Sequence, residues 1–272
     1  MDVVSVFHDL LYQPALAPLL LMARVTERIR LGPAALNPFT LHPYEIAGQT
    51  AMLDLVSGGR AYVGLVKGAW LDRLGLDENR PLRALQEAVE IVQKLLAGDT
   101  SGVRGERFTL EPGTALGYER VRPAVPLLIG TWGERTAAWA GTVAEELKIG
   151  GSANPDLVPV VRGWASPSGI RVVVGCVTVV DEDGAWARAR DRAAVAPYLE
   201  VVAGLDPTLG LRPGEVPPLE RFAIAGTPEE VAARVVELWD AGADRVELGT
   251  PQGRSTPGGV RLICERVLPL LR

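Results

Sequence analysis

Apolar positions along the 272-residue chain follow two alternating spacings. Short runs of aliphatic and β-branched residues recur at 3–8, 29–36, 61–66, 126–130, 147–149, 171–180 and 245–248. Bounded by Gly, Pro or polar turns, such runs read as buried strands. Longer stretches between them carry helical spacing. Leu16, Leu19, Leu20 and Ala23 share one face of 14–26. Ile46, Thr50 and Leu53 follow Pro43, a first-turn proline, and run up to Ser57-Gly58-Gly59. Leu82, Leu85, Val89, Val92 and Leu96 step by three and four residues before Gly98. Further helices are expected over 134–144, after Asn154-Pro155, over 184–205 and over 259–271. Thr227-Pro228-Glu229-Glu230 reads as a capping box, and Val231, Val235, Leu238 and Trp239 as the inward stripe that follows it. Glycines and prolines break the rhythm over 100–124, an expected hairpin or loop, and over 206–221, an expected loop.

Strands that alternate with helices predict a parallel α/β sheet. Two closures are open, a (β/α) barrel of TIM type and a doubly wound open sheet. The open sheet usually places a glycine fingerprint after its first strand, and here that place holds Asp9-Leu10-Leu11-Tyr12. The barrel is the expectation, as one domain over 1–272 with a non-barrel insertion near 100–124.

Composition narrows the function. A net charge of −5 argues against a general nucleic-acid binder, and the 25 arginines against 3 lysines are scattered. The early apolar run at 15–23 is too short to span a bilayer and no leader pattern opens the chain, so a cytoplasmic protein is expected. Cys176 and Cys264 lie far apart with no histidine near either, which predicts no metal centre and two buried thiols. With His8 and His42 the only histidines and no G-x-S-x-G motif, a serine-histidine hydrolase is excluded.

The candidate chemistry lies where strands end. Thr131, Trp132 and Gly133 stand between a strand and a helix, where backbone N–H groups and the helix dipole favour an anion and Gly133 is expected to let the backbone approach it closely; a plain tight turn is the alternative. Gly68 and Trp70 close another strand, with Trp70 either stacking on a ring ligand or serving as a lid or core aromatic, and Lys67 beside them as a partner for an acid. Asp9 is a lone acid after the first strand, or a turn residue; His8 is read as lining the barrel and His42 as capping a helix.

The run Leu31-Gly32-Pro33-Ala34-Ala35-Leu36-Asn37-Pro38-Phe39-Thr40-Leu41-His42-Pro43, with Leu53-Asp54-Leu55-Val56-Ser57-Gly58-Gly59-Arg60 and Gly64-Leu65, resembles the luciferase-like flavin and deazaflavin enzymes. Val66-Lys67-Gly68-Ala69-Trp70-Leu71 is most similar to the branch of methylenetetrahydromethanopterin reductase, which uses coenzyme F-420. The resemblance implies a barrel carrying a deazaflavin, or FMN, at its strand ends. The ring would lie near Asp9, Ala34, Ala35 and Asn37, with Gly68 and Trp70 close by, and the phosphate near Thr131, Trp132 and Gly133. Asp9 and Lys67 become the candidate catalytic residues. It further implies a non-proline cis peptide at Ala34–Ala35. A homodimer through the early helices is implied as well, carried here by Leu16, Leu19, Leu20, Met22 and the helix at 44–56.

Hydride transfer to a small organic substrate is the expected activity; an FMN-dependent monooxygenase and a non-catalytic paralogue are the alternatives. Relatives that dehydrogenate sugar phosphates carry Asp-His and a Glu where this chain has Asp9-Leu10 and Ala69, which argues against that substrate. Trp132 stands where the family often has glycine. Seven strands are counted where a barrel has eight, so the first βα unit of the family is expected to be missing.

Overall fold

The computed structural model describes residues 1–10, 12–77, 79–212 and 215–271. Leu11, in the stretch that decided against a glycine fingerprint, lies outside them. The chain falls into two compact units, Met1–Gly130 and Thr131–Arg272.

In the first unit, β1 (Val3–Val6) pairs in parallel with β2 (Arg30–Pro33). Bridges at Leu31–Ala61 and Leu36–Leu65 join β2 to β3 (Val63–Leu65), and β3 pairs in parallel with β6 (Leu127–Gly130). Three helices intervene, α1 (Leu16–Arg24), α2 (Pro43–Ser57) and α3 (Pro81–Ala97). His42 caps α2 as expected, its Nδ1 accepting from Tyr44 N at 3.2 Å. Gly98 ends α3 at φ +76°, a conformation glycine adopts without steric cost. The stretch 100–124 holds the expected hairpin, an antiparallel pair of β4 (Val103–Arg104) and β5 (Thr109–Leu110). It is anchored by Glu87 of α3, whose buried carboxylate accepts from the backbone N–H groups of Glu106, Arg107 and Phe108. Burial works against its ionisation. Those three donors and Arg83 outweigh it and hold the carboxyl below its ordinary pKa.

The motif ending in Arg60 is scaffold. The guanidinium donates to Ser57 O at 2.7 Å, Ala23 O at 2.9 Å, Thr26 O at 2.8 Å, Thr26 Oγ1 at 3.1 Å and Ile29 O at 2.7 Å. One side chain thereby satisfies carbonyls past the ends of α1 and α2 and at the entry to β2. Asp54, buried in α2, accepts from Ala61 N and takes both Nε and NH2 of Arg122.

In the second unit, β8 (Arg171–Val180) is the longest strand, with nine of its ten residues buried. It pairs in parallel with β7 (Glu146–Gly150), β9 (Ala223–Gly226) and β10 (Arg245–Gln252). The helices are α4 (Glu134–Val143), α5 (Leu157–Trp164), α6 (Gly184–Val202), α7 (Pro228–Asp240) and α8 (Thr256–Leu262). The capping box at Thr227 forms in full. Two expectations need correction. Strand β9 was missed, because four residues between a Pro-rich loop and a cap offer no measurable period. The last helix begins at Thr256, capped by Ser255, and turns through a π segment at Ile263–Val267. All seven expected strands are present and parallel to their partners, and with β9 the described residues hold eight such strands, so the count of seven from which a missing βα unit was expected is corrected. Among the described residues β1 has one strand partner, β2, and β10 has one, β8. No described helix is long and apolar enough to cross a membrane.

Inside this unit Asp191 interrupts the apolar stripe that α6 presents through Ala187 and Val195. It is 5% exposed, and its Oδ1 has no hydrogen-bond partner. Burial lifts its carboxyl to about 7. The folded protein therefore holds this proton more tightly than the unfolded chain does. The ionisation penalty is absent below the ordinary carboxylate pKa, grows as the pH rises from there to about 7, and then levels off. Asp191→Asn should remove the penalty. Unfolding free energies of the two proteins from urea titration should diverge across that window, by more than about 1.4 kcal/mol at pH 8. Parallel curves would mean that Asp191 stays solvated.

Candidate active site

The strand ends of the first unit gather around a close backbone approach. Ala34 N donates to Val6 O and Leu36 N to Gly64 O, both at 2.9 Å. The Ala34–Ala35 peptide between these anchors is cis, as the resemblance implied. A Cβ at Gly64 would overlap the Pro33 carbonyl and come within 3.3 Å of both Ala34 Cα and Ala35 Cβ. Only glycine on β3 lets this segment sit down on the sheet. Gly68 follows at φ +97°, and a Cβ there would lie 3.1 Å from Asn37 Cγ. The Ala34–Ala35 segment thus covers Gly64, and with Gly68 it leaves this strand end with methyl groups and backbone in place of longer side chains.

The polar residues around this strand end differ in what they do. Asn37, 5% exposed, spends its Oδ1 on Phe39 N, Thr40 N and Thr40 Oγ1 at 2.9–3.1 Å, so it shapes the loop. Trp70 adopts φ +55° and its ring is covered by Arg73 at 5.8 Å. Lys67 is exposed and Asp9 half-buried, Asp9 accepting from Tyr12 N through its carbonyl at 2.9 Å. His8 turns its Nδ1 to Ala15 N at 3.1 Å, and burial lowers its pKa. It thus holds the start of α1 as a neutral ring.

In the second unit, Thr131 N donates to Lys148 O at 3.0 Å, fixing the turn to β7. Thr131 Oγ1 accepts from Gly133 N at 3.0 Å, and Gly133 is the N-cap of α4, with no side chain capping it. The geometry of Gly133 corrects the sequence reading. At φ −116° and ψ 132° it is extended, and a Cβ would meet only Thr131 Oγ1 at 3.7 Å, so no close approach requires glycine there. Trp132 donates its Nε1 to Gly150 O at 2.9 Å and packs on the cluster of Val177, Val202 and Phe222. Its indole braces the strand end of β7. Sequence reading missed Asn154, fully buried, whose Nδ2 donates to Asp206 Oδ2 and Thr208 Oγ1, both at 2.8 Å, while its Oδ1 accepts from Arg221 at 2.6 Å. This pins the long loop before β9; Asn154-Pro155 had signalled only a helix start. Among the described residues no group of three or more His, Cys, Asp or Glu side chains is arranged to hold a metal ion.

Parallel strands alternating with helices, with glycines near several strand ends, are the features of an α/β fold of the kind that binds ligands at its C-terminal strand ends. The profile of the luciferase-like monooxygenase family matches residues 6–245, and the chain belongs to that family of enzymes. It is 27% identical to 5,10-methylenetetrahydromethanopterin reductase of Archaeoglobus fulgidus, over 93% of this chain and 86% of that protein. The same enzyme of Methanopyrus kandleri is 28% identical, over 92% and 85%. Among solved structures, the coenzyme F-420-dependent tetrahydromethanopterin reductase of Methanopyrus kandleri superposes with a TM-score of 0.80 at 23% identity, covering 100% of this chain and 91% of that one. Monooxygenase RslO1 from Streptomyces bottropensis gives 0.78 at 23% identity, covering 100% and 89%. These likenesses establish the luciferase-like barrel fold.

Proposed function

We propose that the chain transfers a hydride between coenzyme F-420 and a small organic substrate. The observation that supports this reading is the strand end at Ala34, Ala35 and Gly68, where backbone and methyl groups stand in place of longer side chains, as the face of a planar ring requires. Ala34, Ala35, Asn37, Gly68 and Trp70 would hold the ring, and Thr131, Trp132 and Gly133 would meet the phosphate. When bound, the deazaflavin supplies the carbon that gives or accepts the hydride, and the protein supplies orientation and electrostatics. Asp9 and Lys67, ionisable groups beyond strand ends of the first unit, would hold or move the accompanying proton.

The test is a fluorescence titration of the purified protein with F-420 and with FMN. F-420 should bind at least ten-fold more tightly, about 1.4 kcal/mol. Equal or tighter FMN binding would favour the second reading, an FMN-dependent monooxygenase, which the likeness to RslO1 supports.

We further propose a cytoplasmic homodimer through the early helices, with α2 as expected but without the named α1 residues. Leu19 is buried, and Leu16, Leu20 and Met22 pack on the core of the first unit. Exposed apolar residues on the early helices are Leu21 on α1, with Val25 at its end, and Met52, Leu55 and Val56 on α2; Tyr118 and Val121 are exposed as well. Light scattering should give twice the monomer mass, and Leu55→Glu should return it to one.

A further inference from the structure

Three strands of the second unit share a face that none of the roles above uses. Side chains two apart on a strand point the same way. Glu146, Lys148 and Gly150 of β7 therefore stand with Arg171, Val173 and Gly175 of β8 and with Arg245, Glu247 and Gly249 of β10, Val173 lying in register between Lys148 and Arg245. The charges form one chain. Arg171 meets Glu146 at 2.9 Å, Glu146 meets Arg245 at 2.7 Å, Arg245 meets Glu247 at 2.9 Å, and Glu247 meets Lys148 Nζ at 2.6 Å. It runs from Arg171, half exposed at the strand starts, to Lys148, whose side chain is 12% exposed. These five residues carry three positive charges against two negative.

Lys148 stands at the inner end of this chain, toward the C-terminal strand ends where the glycines begin. A Cβ at Gly175 would come within 3.0 Å of Lys148 Cε and 3.4 Å of its Nζ, so glycine there makes room for the ammonium. A Cβ at Gly150 would meet nothing closer than Lys148 Cε at 4.0 Å, leaving space above the lysine. The Lys148 carbonyl also fixes Thr131, the first of the proposed phosphate residues, at 3.0 Å.

We propose that Lys148, oriented by Glu247, is a binding residue for the carboxylate of a small organic substrate seated over Gly150 and Gly175. This deepens the proposed hydride-transfer reading and rests on it for the word substrate. The binding chemistry stands by itself: a low-exposure ammonium forms charge-assisted hydrogen bonds with a carboxylate. Glu247 both aims the lysine and competes for it, so the two charged partners have opposite expected effects.

The test titrates the purified protein calorimetrically with pyruvate and acetoacetate, and with neutral acetone as control. The carboxylates should bind and acetone should not. Lys148→Met should weaken carboxylate binding about 100-fold, while Glu247→Gln should tighten it about ten-fold, equivalent to about 2.7 and 1.4 kcal/mol. Gly175→Ala, which crowds the ammonium, should weaken it as well and guards against a failure of Lys148→Met to fold. A purely structural ion pair would lower the melting temperature in both charge variants without opposite effects on binding. Equal binding of acetone and pyruvate, or weakening by Glu247→Gln, overturns the proposal. F-420 binding is followed in parallel by fluorescence. Its loss with carboxylate binding retained would sink the hydride-transfer reading and leave the anion site standing.

Discussion

Replacing Arg60 with lysine should cost about 3 kcal/mol of stability, the largest loss expected from a single conservative change in this chain. The guanidinium makes five hydrogen bonds, four of them to main-chain carbonyls belonging to α1, α2 and the segment between α1 and β2. A bond to a charged donor is worth roughly 1.5–3 kcal/mol, and such bonds sharing one side chain do not add in full. Lysine keeps the charge and loses the planar fork, so it reaches at most one side of the array. The denaturation midpoint in urea should fall while the dependence on urea concentration stays unchanged. A loss below about 0.5 kcal/mol would mean that water replaces Arg60 without penalty. Gly58, at φ +65° with nothing within 4 Å of an added Cβ, is the contrasting case within the same motif. Any cost of Gly58→Ala comes from backbone conformation alone.

The second large effect is expected on binding. Gly133→Asp places a carboxylate at the uncapped start of α4, where the backbone is already extended and the side chain has room. Aspartate is a favoured N-cap and its charge suits the helix dipole, so the melting temperature should hold or rise slightly. The same carboxylate occupies the N–H groups that the phosphate of F-420 would use, and repels it. Affinity should fall about 100-fold, or about 2.7 kcal/mol. Gly133→Ala should leave affinity nearly unchanged, and a deazaflavin without a phosphate should not distinguish Gly133→Asp from the parent. An unaltered dissociation constant for F-420 would remove Gly133 from the phosphate site. Opposite signs for stability and affinity separate this reading from general damage.

Much of the fold was legible because it rests on local rules. The heptad-like steps of α3, the capping box at Thr227 and the proline that opens α2 each specify an element from a few neighbouring residues. The Arg60 motif was legible as a family mark and not as a mechanism, because its partners Ala23, Thr26 and Ile29 lie 31–37 residues away. Leu16, Leu20 and Met22 looked surplus because periodicity counts apolar faces but does not say how wide a surface each one meets. Gly133 was read as a cradle, and its backbone angles show a residue whose place could be taken by others. Lys148 and Glu247 were invisible for a different reason. They sit 99 residues apart, and each reads as a polar interruption of a strand until the register brings them together.

The two cysteines, one on β8 and one beyond α8, give the chain two internal clocks of different speed. Cys176 lies on β8, 4% exposed, with its thiol pushed up to about 12 by burial, the Asp191 charge adding to the shift while Thr178 and nearby cations oppose it. Cys264, expected to be buried like Cys176, is instead free and exposed in the π turn after α8, where the chain end carries its side chain outside the core. Thiolate is the reactive form, so an alkylating reagent consumes Cys264 directly but reaches Cys176 only when β8 parts from its neighbours. The rate at which the second thiol is lost then reports how often the middle of the second unit opens, with the first thiol as the reference and no label to be engineered.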